Sequence, residues 1–182
     1  MNPENTGQAI LHNDTVINVA ALLREQTGAT RSYRFSMDQF SLDEELSAVG
    51  LAGMVRLTRL SDAILVAVQG ATEVELECQR CLERYQQPVE VDFSEEFRIA
   101  YDVRRGTAID SELEGVDERL EVSENHELDF SEPLRQELIL ALPMRPDCGE
   151  ACPGPPEFAD DEEEGPEGQF AALASLLDPV DE

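Results

Sequence analysis

Between Gly53 and Val103 the chain reads as a series of strand-like runs, MVRLTRL, AILVAVQG, TEVELEC and PVEVDFSEEFRIAYDV, in several of which apolar and polar residues alternate. A period of two puts every second side chain on one face of an extended strand, whereas a helix needs apolar residues about every 3.6 positions. Val55, Leu57 and Leu60 point toward a core, and Ser61-Asp62 makes a turn. Gly70 breaks the next run, and alternation resumes at Val74 and Leu76. Consecutive short strands joined by tight turns pair antiparallel, so this stretch predicts a meander.

The flanks predict helices around that sheet. SYRFSM places Tyr33, Phe35 and Met37 on one side and reads as the first strand. Before it, VINVAALLREQTG reads as a short strand or turn and then a helix, with Asn18 as N-cap, Val19, Leu22 and Leu23 as its apolar stripe, and Gly28 at its C-terminal end. A second helix is expected from Ser131 as N-cap, with Pro133 in its first turn. Its apolar face is Leu134, Leu138, Ala141 and Leu142, and Pro143 ends it. Residues 104–127 are acidic and weakly periodic, which predicts a long loop with a brief strand around Leu120 to Val122. The expected fold class is α+β: an antiparallel sheet or small open barrel with two or three short helices and a disordered acidic C-terminal segment. Residues 1–152 are expected to form one α+β domain. Residues 153–182 are expected to form an acidic linker, PGPPEFADDEEEGPEGQ, followed by a short helix carrying Phe170, Leu173 and Leu177. That helix is too short to be stable by itself.

The 182 residues hold 13 basic and 40 acidic groups, a formal net charge of −27, and every basic residue among the 13 is Arg. Such a field repels phosphate backbones, because nucleic-acid affinity rests largely on counterions released by Lys and Arg. It raises the encounter rate with a basic partner. Acidity also confers solubility, and it accompanies salt-rich or hot habitats, so charge alone leaves these readings side by side. The N-terminus lacks the basic start and apolar run of a secretory signal, and no stretch approaches the roughly 20 apolar residues of a membrane span. A cytoplasmic protein without membrane contact is the expectation.

All four cysteines fall in two close pairs, Cys78-x-x-Cys81 between strand-like runs and Cys148-x-x-x-Cys152 after the second helix. Without a signal, such cysteines are more often metal ligands or catalytic thiols than disulfide partners. Two close pairs are what tetrahedral zinc requires: each closes a small chelate ring, and the rings meet if the chain folds back. A structural zinc ion held by Cys78, Cys81, Cys148 and Cys152 is therefore one reading, and four thiolates leave no open position for catalysis. Free thiols packed as small apolar groups, or a redox pair, are the alternatives. The redox chemistry favours a helix N-terminus after a parallel strand, whereas this setting is a meander. Arg80 and Arg84 would stabilise thiolates, contact RNA phosphate, or pair with carboxylates of the chain itself.

Little else carries chemistry. His12 and His126 sit in no nucleophile or metal motif, and no G-x-S-x-G, P-loop or G-x-G-x-x-G run occurs. The acidic run at residues 160–164 lacks the alternating spacing of a calcium loop. The chain is expected not to be an enzyme.

Three stretches resemble one family. INVAALLREQTGATRSY resembles its N-terminal signature, CQRCLERYQQPVEVDFSEEF its C-x-R-C-L segment, and ELDFSEPLRQELILALPMRPDC its Leu-Pro block ending in cysteine, with FAALASLL as a terminal echo. This is the YceD family of bacterial and plastid proteins. The resemblance implies a role in synthesis, processing or stability of large-subunit ribosomal RNA. Many members continue past the position of Cys152 with further cysteines in a Gly-Leu-Cys-x-x-Cys-Gly run, where this chain reads PGPPEF. With charge, the resemblance points to a ribosome biogenesis factor that binds a basic ribosomal protein or a large-subunit precursor, touching ribosomal RNA indirectly. The alternatives are direct RNA binding through Arg80, Arg84, Arg104 and Arg105, and a thiol redox protein.

Overall fold

The computed structural model of the chain describes residues 10–99, 101–102, 107–108, 120–150 and 152–155. Four long strands dominate it: β3 (Thr30–Ser41), β4 (Ser47–Arg59), β5 (Ala63–Glu77) and β6 (Arg84–Ile99). They pair antiparallel in sequence order. Short β1 (Ile10–His12) adds parallel to β3, and β9 (Glu121–Val122) adds parallel to β6, giving one curled sheet in the order β1-β3-β4-β5-β6-β9. Its edge strands β1 and β9 do not pair with each other among the described residues, so the sheet stays open. A two-stranded pair, β2 (Val16–Asn18) with β10 (Glu127–Asp129), and a small hairpin, β7 (Tyr101–Asp102) with β8 (Thr107–Ala108), complete the strands.

Alternation decides which face is inside. In β5, Ile64, Val66, Val68, Thr72, Val74 and Leu76 are all buried, while Glu73, Glu75 and Glu77 face solvent. The inner face is covered by Ile17 and Val19, by Leu22 and Leu23 of α1 (Ala20–Leu23), by Leu128 and Phe130, and by Leu134 and Leu138 of α2 (Ser131–Leu140), all in one core. Phe35 and Phe130 meet edge to face with ring centroids 5.6 Å apart.

Two expectations about strands are corrected. Gly70 does not break a strand, because β5 runs continuously past it. Gly70 pairs with Gly53 on β4, and the Phe35 ring lies over both. A Cβ on Gly53 would stand 2.1 Å from the Gln69 carbonyl oxygen and 2.7 Å from Phe35 Cζ, so these glycines mark a close approach of neighbouring groups rather than a turn. The strand expected from Gly53 begins earlier, at Ser47. A bulge at Gly50, whose φ is +65°, shifts the register between Val49 and Ala52 and turns both Ala48 and Leu51 inward, which hides the period of two.

The α+β class is also corrected: the described residues are mostly strand, with only two helices, of four and ten residues. The N-terminal helix stops after one turn, where the Arg59 guanidinium donates to the carbonyl oxygens of Leu23 and Glu25; Gly28, expected at the helix end, lies five residues beyond it at φ +90° and donates its N–H to the Arg59 carbonyl. Both expected N-caps sit one residue from the observed cap positions. Asn18 Oδ1 accepts the Ala20 N–H at 3.1 Å, with Val19 at the cap position. Phe130 occupies the cap position of α2, while Asp129 Oδ1 accepts the Ser131 N–H at 2.9 Å. Arg135 ties α2 to the connection between β3 and β4 by donating to the Leu42 carbonyl at 3.0 Å while pairing with Glu132. The brief strand expected near Leu120 to Val122 is β9. Most of the loop around it, the acidic linker from residue 156, and the terminal helix over 170–177 lie outside the described residues.

Candidate metal centre

The inward parity of β5 carries one residue beyond the strand, so Cys78 follows Val74 and Leu76 to the buried face and is fully inaccessible. The chain then reverses tightly into β6. Cys78 N–H donates to the Glu83 carbonyl and Leu82 N–H donates back to the Cys78 carbonyl, both at 2.9 Å. Leu82 completes this knuckle in the left-handed region, at φ +62°. The reversal brings Cys81 back toward Cys78, with the Arg80 N–H 3.5 Å from the Cys78 sulfur.

The second pair comes from the segment after α2. Asp147 Oδ1 accepts the Gly149 N–H at 2.7 Å, Gly149 takes φ +91°, and Cys152 N–H donates to the Gly149 carbonyl at 3.1 Å, a loop that folds Cys152 back toward Cys148. Two cross-links hold this loop to the knuckle: Gln79 N–H donates to the Pro146 carbonyl at 3.0 Å, and Arg80 pairs with Asp147 at 3.5 Å. All four sulfurs then lie within 4.8 Å of one another.

The sulfur geometry suits a tetrahedral ion. Thiolates about 2.3 Å from zinc stand about 3.8 Å apart along each tetrahedral edge. Cys78 Sγ to Cys152 Sγ is 3.9 Å and Cys81 Sγ to Cys148 Sγ is 3.7 Å. The four cysteines present thus make a complete ligand set, and the later cysteines of the resembling proteins are not needed for one.

The thiols differ in acidity. The backbone N–H of Cys81, followed by those of Arg80 and Cys148, holds the Cys78 thiol down to about 6. Burial, then the neighbouring Cys152, Cys78 and Cys81 thiols, push Cys148 up to about 12. At Cys81 the Glu83 backbone hydrogen bond favours the thiolate, but burial and the Cys78 and Cys152 sulfurs outweigh it and raise the thiol. Without an ion, the fold thus favours the thiolate at Cys78 and the thiol at Cys81 and Cys148. A divalent cation reverses that preference, since each ligand must be deprotonated.

The other candidates are placed as follows. Arg80 and Arg84 flank the knuckle, and both are already engaged by carboxylates of the chain, Arg80 by Asp147 and Arg84 by Glu75 at 2.8 Å. Arg104 and Arg105 lie outside the described residues. Neither histidine joins the sulfur group. Sequence reasoning missed Asp147 as the partner of Arg80. The Asp-Cys-Gly step carries the residue types of a turn, but nothing local signals an ion pair 67 residues away.

Among the described residues no helix is long and apolar enough to cross a membrane. No curated protein and no solved structure matches the chain. The sequence profile described as large ribosomal RNA subunit accumulation protein YceD matches residues 66–177, a span that holds most of β5, the knuckle, α2, all four cysteines and the terminal apolar run. That match leaves out the N-terminal signature stretch but covers more than half of the 182 residues, and on it the chain belongs to the YceD family.

Proposed function

We propose that this chain is a non-enzymatic ribosome biogenesis factor: an open β body, stapled by a structural zinc ion, that binds a basic ribosomal protein or an early large-subunit particle. The family's association with large-subunit ribosomal RNA supplies the process. The observation that carries the mode of action is the outer face of β5 and β6, where Glu73, Glu75, Glu77, Glu90, Asp92 and Glu96 are all exposed. In a chain of net charge −27 this face repels RNA phosphate and attracts Lys- and Arg-rich protein. The zinc ion would be held by Cys78, Cys81, Cys148 and Cys152, and it would supply cross-linking rather than chemistry, since four thiolates complete its coordination. The role would be cytoplasmic, and RNA would be reached through the protein partner.

Direct RNA binding through Arg80 and Arg84 is the weaker reading, because both guanidiniums already hold carboxylates. The test is affinity capture of the full chain from growing cells, with RNA and protein identified in the same eluate over a salt series. Large-subunit components should be captured at low salt and lost as the screening length falls below about 8 Å. Salt-resistant capture, or RNA retained after the proteins have been washed away, overturns this mode of binding.

A further inference from the structure

Large apolar side chains remain exposed at two kinds of place among the described residues. Ile10, Val16, Val49 and Met54 are scattered over strands, whereas Leu82, Leu140 and Met144 belong to the two segments that the cysteines draw together. These three are 56, 75 and 98% exposed. Leu82 is costly as well as exposed, because the left-handed region disfavours a side-chain-bearing residue and glycine would serve the knuckle without that cost. Beside Met144, Arg145 is exposed and has no ion-pair partner among the described residues. The Gln79–Pro146 hydrogen bond and the Arg80–Asp147 pair hold the turn that carries Leu82 against the segment that carries Met144, and this corner shows apolar side chains and Arg145 beside the exposed Glu83, Asp147 and Glu150.

We propose that this corner is the docking site for the chain's own terminal run, residues 170–177, with Phe170, Leu173 and Leu177 covering Leu82, Leu140 and Met144. The described chain leaves the cysteine loop at residue 155, and fourteen residues, 156–169, separate it from the run. A coil of that length spans about 20 Å, which is ample for a return to the same corner. The run carries apolar residues at helical spacing, yet is too short to hold a helix unaided, so docking is what removes its apolar surface from water. Charge adds one match: the carboxylates at 157, 160–164, 167 and 178 flank the run, and Arg145 is the guanidinium of this corner that no described carboxylate pairs with. Tethering supplies an effective concentration in about the millimolar range, so weak contacts suffice. The family match extends through residue 177, across the linker, and so includes the run.

Pulsed carbene footprinting of the full chain, read by mass spectrometry, tests this against a Phe170→Ser, Leu173→Ser, Leu177→Ser variant in which the described body is untouched. Labelling of Leu140 and Met144 should be several-fold lower in the natural chain, and this protection should be unchanged on dilution. Conversely, Leu140→Ser with Met144→Ser in the full chain should speed amide exchange over 170–177. Equal labelling of the natural chain and the triple variant overturns the proposal. So does protection that survives the triple substitution, which would mean another segment covers the corner, or protection that fades on dilution, which would mean a second copy does.

Discussion

A methyl group at Gly53 would meet the Gln69 carbonyl oxygen at 2.1 Å and the Gly70 Cα at 2.8 Å, both backbone atoms that cannot rotate away. At Gly70 the nearest obstacle is Phe35 Cζ, at 3.2 Å, the far end of a ring with some room to tilt. The two glycines face each other across β4 and β5, but their substitutions should therefore differ. Gly53→Ala should cost about 3 kcal/mol of folding stability, at the upper end of overpacking effects, and Gly70→Ala about 1 kcal/mol. Urea-denaturation midpoints of the two variants check this. Equal losses would show that the Phe35 ring, rather than the strand backbone, sets the constraint. The sequence showed both glycines and mistook one of them for a break, because the residue that needs the space, Phe35, lies on another strand.

At the scale of the element, the knuckle between β5 and β6 acts on its own thiols. By pointing the Cys81, Arg80 and Cys148 N–H groups at the Cys78 sulfur, the fold lowers that thiol from 9.0 to about 6. A group depressed in the folded state stabilises it fully above the unfolded value and loses that stabilisation as pH falls through the folded one. Cys148, raised to about 12, has the opposite sign: its contribution is present below 9.0 and is lost as pH rises toward 12. Chelator-treated, reduced protein should thus gain stability as pH rises from 6 to 9, and a Cys78→Ala variant should lack that gain. Denaturation midpoints across this window provide the measurement. An identical pH profile in the variant would mean that the N–H groups do not reach the sulfur in solution.

At the scale of the whole molecule, the cysteine clasp closes a gap of 67 residues between the knuckle and the loop after α2. Backbone hydrogen bonding from Gln79 to Pro146 and the exposed Arg80–Asp147 pair contribute little net free energy by themselves, whereas four thiolate bonds to a zinc ion held there would contribute on the order of 10 kcal/mol. Purified protein should accordingly carry one zinc ion per chain with all four thiols masked to a thiol reagent. Removal of the ion should expose four thiols and lower the thermal midpoint. Stoichiometric thiol reactivity in metal-replete protein, with no change on chelation, would leave the clasp as hydrogen bonds alone. The net charge of −27 adds self-repulsion that such a cross-link offsets.

The sequence by itself determined what depends on neighbours within a few positions. The period of two in β5 and β6, the turn that holds Cys78 and Cys81, and the Leu134 and Leu138 positions of the α2 face were legible, because pleat, turn geometry and helical period are local properties, whereas Ala141, expected on that face, lies past the helix end and is exposed. The spacing of the cysteines likewise announced two chelating pairs. Tertiary structure alone decided whether those pairs meet, which carboxylates occupy Arg80 and Arg84, how far β4 extends around its bulge, and that the first helix stops after a single turn. Each of these outcomes turns on burial or hydrogen bonding shared between segments distant in sequence. A long-range contact is favourable only after loop closure has brought its partners together, and no short window of residues records that balance.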